Sequence, residues 1–233
     1  MDSQKIKDLF DKTNGVDSKN ILEAGFNLLT FTKSIPFNII KAVIIAVVLY
    51  LVLNGLFFYL GVDWWVRIVG LVGGLIGGVF LVFTGSLKFI VSSFIDNVSD
   101  LLTGTLEPIE KVYDNYQETS DGNMNKKEFT MGVIQAVVVP NLLGAISVVP
   151  FKGSLEKNLN SFLGNMVSEN AAQPKKTTVV KDDNNDPNFL TNMIGSIQKG
   201  TDKTKSGINK PFNLTLWVFG GISAVLMALS YLF

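Results

Sequence analysis

Apolar residues along this chain fall into two patterns, unbroken runs and helical stripes. Residues 42–60 form a run of 19 without a charge, and residues 68–87 form a second run of 20. About 20 apolar residues at 1.5 Å rise cross a hydrocarbon layer of about 30 Å, so both runs predict transmembrane helices. Only Gly61 to Arg67 separates them, which forces an antiparallel hairpin. Trp64 and Trp65 fall where an interfacial aromatic belt belongs. Residues 212–233 are also uncharged, with Trp217 near one end and Tyr231 near the other, and predict a further span. Residues 129–151 are uncharged as well, but Pro140-Asn141 sits at the middle and Pro150 near the end.

The stripes lie between the runs. Ser3 caps an expected helix carrying Ile6, Leu9 and Phe10 on one face. A second stripe, Ile21, Leu22, Phe26, Leu29 and Phe31, is expected to end at Pro36. Both readings of this pair stay open: helices packed on their own protein, or helices lying on the membrane surface. After Asp96, residues 100–116 read as a polar helix with Pro108 near a helix start. Leu155, Leu159, Phe162, Leu163 and Met166 share one helical face, and so do Phe189, Leu190, Met193, Ile194 and Ile197. The polar stretch 170–187 between them reads as a mobile linker. A weak repeat relates Ser93-Phe94-Ile95-Asp96-Asn97-Val98, Ser161-Phe162-Leu163-Gly164-Asn165-Met166 and Asn188-Phe189-Leu190-Thr191-Asn192-Met193. Duplication would produce it, but reuse of Phe, Leu and Asn at helical spacing explains it better.

The fold class read from this pattern is an all-α integral membrane protein. It has a transmembrane helical hairpin, amphipathic helices, a re-entrant or interfacial apolar segment and a C-terminal transmembrane helix. The expected order is 1–37 amphipathic N-terminal helices, 38–95 transmembrane hairpin, and 96–128 polar helix with a turn-rich loop. Then come 129–151 re-entrant or third spanning segment, 152–170 amphipathic helix, 171–187 flexible linker, 188–211 short amphipathic helix and 212–233 C-terminal transmembrane helix. No apolar h-region follows the N-terminus within 35 residues, so no cleavable signal peptide is expected.

Composition narrows the chemistry. The 233 residues are 47% hydrophobic and 17% charged, below the roughly 25% charged of an ordinary soluble domain. Mean hydropathy is +0.33. Twenty basic and 20 acidic residues balance, so the basic excess of a nucleic-acid binder is missing and no nucleic-acid partner is expected. There is no Cys and no His, which removes thiol nucleophiles, disulfides, the commonest general base and the commonest metal ligand. No catalytic residues are named and no enzyme activity is expected.

Charge also predicts topology. Lys33 and Lys41 precede the first span, Lys88 follows the second, and Lys199, Lys203, Lys205 and Lys210 precede the last. Cytoplasmic flanks carry the excess of Lys and Arg, so the N-terminus is expected in the cytosol or its equivalent. Lys126, Lys127, Lys152 and Lys157 then place both ends of 129–151 in that compartment. Pro140 and Asn141 become the expected tip of a re-entrant turn, with four full spans as the alternative.

Two motifs remain. Gly70, Gly74 and Gly78 are spaced by four, as are Gly73 and Gly77. Tandem GxxxG puts a flat ridge on one face and lets another backbone approach closely. The expected partners are the lipid bilayer and, across the ridge, the first span, another copy of this chain or another membrane protein. The second motif is in a loop. In Gln117-Glu118-Thr119-Ser120-Asp121-Gly122-Asn123-Met124-Asn125-Lys126-Lys127-Glu128, the glycine is sixth and the glutamate twelfth. This resembles an EF-hand loop, with Gln117, Thr119, Asp121, Asn123, Asn125 and Glu128 as candidate calcium ligands. Gln117 and Thr119 stand where acids are usual, so affinity for calcium would be low. The alternative is a polar Asp-Gly turn that caps the next helix, with no cofactor at all.

These features point first to a non-catalytic membrane protein that organises or anchors an assembly in an organelle, cell or virion membrane. The alternatives are a pore or transport component built on the glycine-rich span and the re-entrant segment, and a weakly calcium-responsive membrane protein.

Overall fold

The structure is a computed structural model that describes residues 28–119, 126–146, 151–172 and 189–232. Among the described residues it is helical, with no strand. The helices are α1 (Leu28–Tyr59), α2 (Trp64–Thr119), α3 (Lys126–Val133), α4 (Val139–Ile146), α5 (Lys152–Ala172) and α6 (Phe189–Leu232), with a π turn at Ile134–Val138 joining α3 to α4. Three helices are long and apolar enough to cross a membrane: stretches of α1, α2 and α6. The chain is an all-α, multi-pass membrane protein.

Several expected boundaries are absent. Helix α1 continues through Pro36, α2 through Pro108 and α6 through Pro211. The reason is local. A proline forfeits one N–H bond and crowds the carbonyl four residues back, a cost that a long, well-packed helix survives. The separate polar helix expected at 100–116 is thus the second half of α2, and the short amphipathic helix before the last span is the first half of α6.

The chain divides into two compact units. The first, called here the membrane unit, comprises Lys33–Ser93 and Lys205–Phe233; the second, the buried-core unit, comprises Met1–Thr32 and Phe94–Thr204. In the membrane unit the hairpin turn is closed by a helix-capping bond pattern. Gly61 N–H donates to the Phe58 carbonyl at 3.2 Å and Val62 N–H to the Phe57 carbonyl at 3.3 Å, with Gly61 at φ 65°. This is the Schellman arrangement, which needs a left-handed residue after the helix, and glycine takes that conformation without strain. Val62 then packs with Phe57 and Val66 against Leu226 and Met227. At the other end of the unit Ala46, Leu81 and Phe212 form a cluster. Helices α1 and α6 therefore run the same way through this unit, and α2 runs against both.

In the buried-core unit the side chains of the stripes turn inward. Phe94, Leu101, Leu102, Ile109, Phe129, Ile134, Phe162 and Ile197 are fully buried. Phe31 meets Phe94 and Tyr113 meets Phe129, with centroids 5.6 and 5.5 Å apart in tilted geometry. Gly200 lets α6 approach the Met166 backbone of α5. Nearby, the Asn165 side-chain amide donates to the Thr204 hydroxyl at 3.1 Å. Phe94 and Phe162, equivalent positions of the weak repeat, are both core residues.

Residues 126–146 correct the re-entrant expectation at its tip. Pro140 and Asn141 lie on α4, and the chain does not reverse there. Widening to a π turn, with Val139 N–H bonded back to the Ile134 carbonyl, accommodates the proline without a break. Phe129, Val133, Ile134, Val137, Val138, Leu142 and Ile146 are all buried, so one face of this apolar stretch is covered by protein, while Gln135, Pro140 and Gly144 on the other face are exposed. The expected N-terminal helices before residue 28 and most of the 171–187 linker lie outside the described residues.

Candidate functional site

The glycine ridge on α2 is divided among several neighbours. A Cβ at Gly70 would collide with the Phe57 ring of α1, and one at Gly74 would come within 3.0 Å of the Tyr50 ring. One at Gly77 would collide with the Phe219 ring of α6. Further along, a Cβ at Gly85 would lie 3.1 Å from Ala42 and 3.2 Å from Phe212. Gly73 and Gly78 have nothing within 4 Å of an added Cβ. The ridge is therefore consumed internally at Gly70, Gly74, Gly77 and Gly85, while Gly73 and Gly78 stay uncovered. Sequence spacing placed these glycines on one helix face but carried no signal for Gly85, which lies beyond the tandem motif.

Between α2 and α6 the ridge leaves a groove of about 470 Å³, floored by Gly70, Gly73, Gly74 and Gly77 and walled by Val218, Phe219 and Ile222. Its two hydroxyls are spent within α6: Thr215 donates to the Pro211 carbonyl and Ser223 to the Phe219 carbonyl, each at 2.9 Å. The groove thus offers apolar contact and close backbone approach, without a free polar group from these two side chains.

The calcium-loop candidates are only partly placed. Gln117 and Thr119 belong to the last turn of α2; Asp121, Asn123 and Asn125 lie outside the described residues. Glu128 is exposed in the first turn of α3. Tyr113 packs on Phe129, and the Lys126 ammonium pairs with the Glu110 carboxylate. These two contacts hold the start of α3 against α2 on either side of the loop. Among the described residues no group of three or more acidic side chains could hold a metal ion.

Charge in the membrane unit is polarised. Lys33, Lys41, Lys88, Lys205 and Lys210 are at one end, and Asp63 and Arg67 at the other. Arg67 is fixed by an Nε–H bond to the Val62 carbonyl at 2.7 Å and lies over the Phe58 ring, 5.5 Å from its centroid. At the opposite end the Lys88 ammonium sits 4.4 Å from the Phe212 centroid, a cation–π distance.

No family model matches the chain, and no curated protein or solved structure is similar to it.

Proposed function

We propose that this protein is a non-catalytic integral membrane component that organises or anchors an assembly. The observation carrying this reading is the uncovered part of the glycine ridge. Gly70, Gly74 and Gly77 already lock three spans together, and Gly73, on the open groove between α2 and α6, remains free for a further helix. In lipid, small residues that let backbones approach are a main source of helix association. The partner is another copy of the chain or another membrane protein. The lysine-bearing end faces the cytosol or its equivalent, following the excess of basic residues there.

The protein in mild detergent should migrate as an assembly larger than its monomer, and Gly73→Leu should reduce it to monomer without lowering thermal stability. A wild-type monomer would overturn self-association and leave another membrane protein as the partner to be sought by cross-linking in the source membrane, where no cross-linked partner would overturn the reading. Liposome-reconstituted protein separates this reading from a pore: an organiser gives the ion leak of empty liposomes, a pore gives more. Orientation is checked by single cysteines, since the native chain has none. Ser206→Cys and Asp63→Cys should react with an impermeant thiol reagent from opposite sides.

A further inference from the structure

We propose that the lysine-bearing end of the membrane unit binds the phosphate of an anionic phospholipid. The inference rests on membrane insertion, as the proposed function does. The contacts among Ala42, Gly85 and Phe212 fix which residues share this end. Lys41 immediately precedes Ala42, Lys88 follows Gly85 by one helical turn, and Lys210 lies two residues before Phe212. Lys33 and Lys205 extend the same end, and the unit places no carboxylate there. The Lys88 ammonium is held against the Phe212 and Phe89 rings, at 4.4 and 5.6 Å from their centroids. Its position is thus set by packing, and its solvation is incomplete.

Two buried polar groups lie within about one turn of the same junction. Asn38 is 6% exposed and Ser86 5% exposed, yet the Asn38 Nδ2 and the Ser86 Oγ have no hydrogen-bond partner. Buried donors without partners are rare in folded proteins and call for a missing acceptor. The end therefore collects ammonium groups, an amide N–H and a hydroxyl, with the nearest carboxylates along the helices at Asp96 of α2 and Asp202 of α6. That set matches a phosphate, which offers several acceptor oxygens and negative charge.

The flanks decide the source of that phosphate. Phe37, Ile40 and Phe83, close in sequence to these groups, are 69%, 52% and 56% exposed. A free phosphate ion has no use for apolar flanks. A phospholipid places its headgroup at the lysines and its chains along those side chains. Basic clusters at the cytoplasmic ends of spans attract anionic lipids in this way.

Native mass spectrometry of the full-length protein in detergent, titrated with phosphatidylglycerol and phosphatidylcholine, tests the proposal. Wild type should retain phosphatidylglycerol at least about tenfold better. Lys41→Gln and Lys88→Gln should each lower that preference about fivefold, as expected for one basic residue at an anionic surface. Asn38→Leu should lower it further while keeping the fold. Arg67→Gln, at the other end, should leave it unchanged. Millimolar inorganic phosphate should not displace the lipid. Equal retention of the two lipids, or unchanged preference in both lysine variants with thermal midpoints intact, would overturn the proposal. Displacement by inorganic phosphate would overturn the lipid assignment. A carbonate wash of the source membranes keeps the two readings apart. Protein that stays in the pellet but shows no lipid preference defeats only this inference, whereas release into the supernatant defeats membrane insertion as well.

Discussion

The two units use the same kinds of residue in opposite ways. In the buried-core unit Phe94, Phe129 and Phe162 are 0% exposed; in the membrane unit Phe58 is 75%, Val79 70% and Trp217 80% exposed. Among the described residues, every exposed large apolar side chain except Phe151 lies in the membrane unit. Contiguous apolar surface on this scale is foreign to a protein bathed in water, whereas lipid imposes no penalty on it. The glycines differ in the same sense. Tight helix contacts in the membrane unit rest on four glycines against aromatic or small side chains, while the core of the other unit is filled by interlocking Phe, Leu and Ile. Where the surroundings are as apolar as the side chains, burial supplies little drive, and close packing must supply it instead.

The largest effect should come from emptying the core of the buried-core unit. Phe162→Ala should lower stability by about 3–5 kcal/mol, read as a drop in thermal midpoint in detergent. Val79→Ala, at a side chain 70% exposed, should change it little. Equal losses would mean that the two units bury apolar surface against the same medium. Next comes the ridge. Gly70→Ala should cost about 1–3 kcal/mol, because Phe57 is enclosed by Val62 and Val66 and cannot yield easily. Gly78→Ala, with open space around it, should cost nothing measurable. If Gly78→Ala hurts as much, Gly78 already has a partner in the membrane. The smallest effect is expected at the hairpin turn. Gly61→Ala forces a side chain into left-handed backbone and should cost about 1 kcal/mol, shown as a small shift of the same midpoint.

The carbonate wash belongs to the same comparison. The membrane unit should hold the chain in the pellet whatever is done to the other unit, so Phe162→Ala should remain there after alkaline treatment. Its release would mean that the buried-core unit contributes to retention.

Some of this architecture was legible in residues alone. The uncharged runs at 42–60 and 68–87 and the apolar C-terminal stretch declared three spans, because transfer into hydrocarbon depends on composition and length. The stripes of Leu155, Leu159, Phe162 and Met166 declared a buried face, because helical period is a property of the chain itself. Other features were decided only by tertiary structure. Residues 129–151 are as free of charge as the spans, yet one face of the described part of that stretch is buried against protein. Hydropathy measures how strongly a segment avoids water and is silent on whether lipid or protein replaces it. The prolines at 36, 108 and 211 mark boundaries locally, but packing along long helices outweighs one lost bond. The tandem glycines announce close approach, but a residue without a side chain carries no sign of its partner. Only the folded chain assigns Gly70 and Gly74 to α1 and Gly77 to α6, and leaves Gly73 and Gly78 uncovered, because that choice depends on which helix arrives at each face.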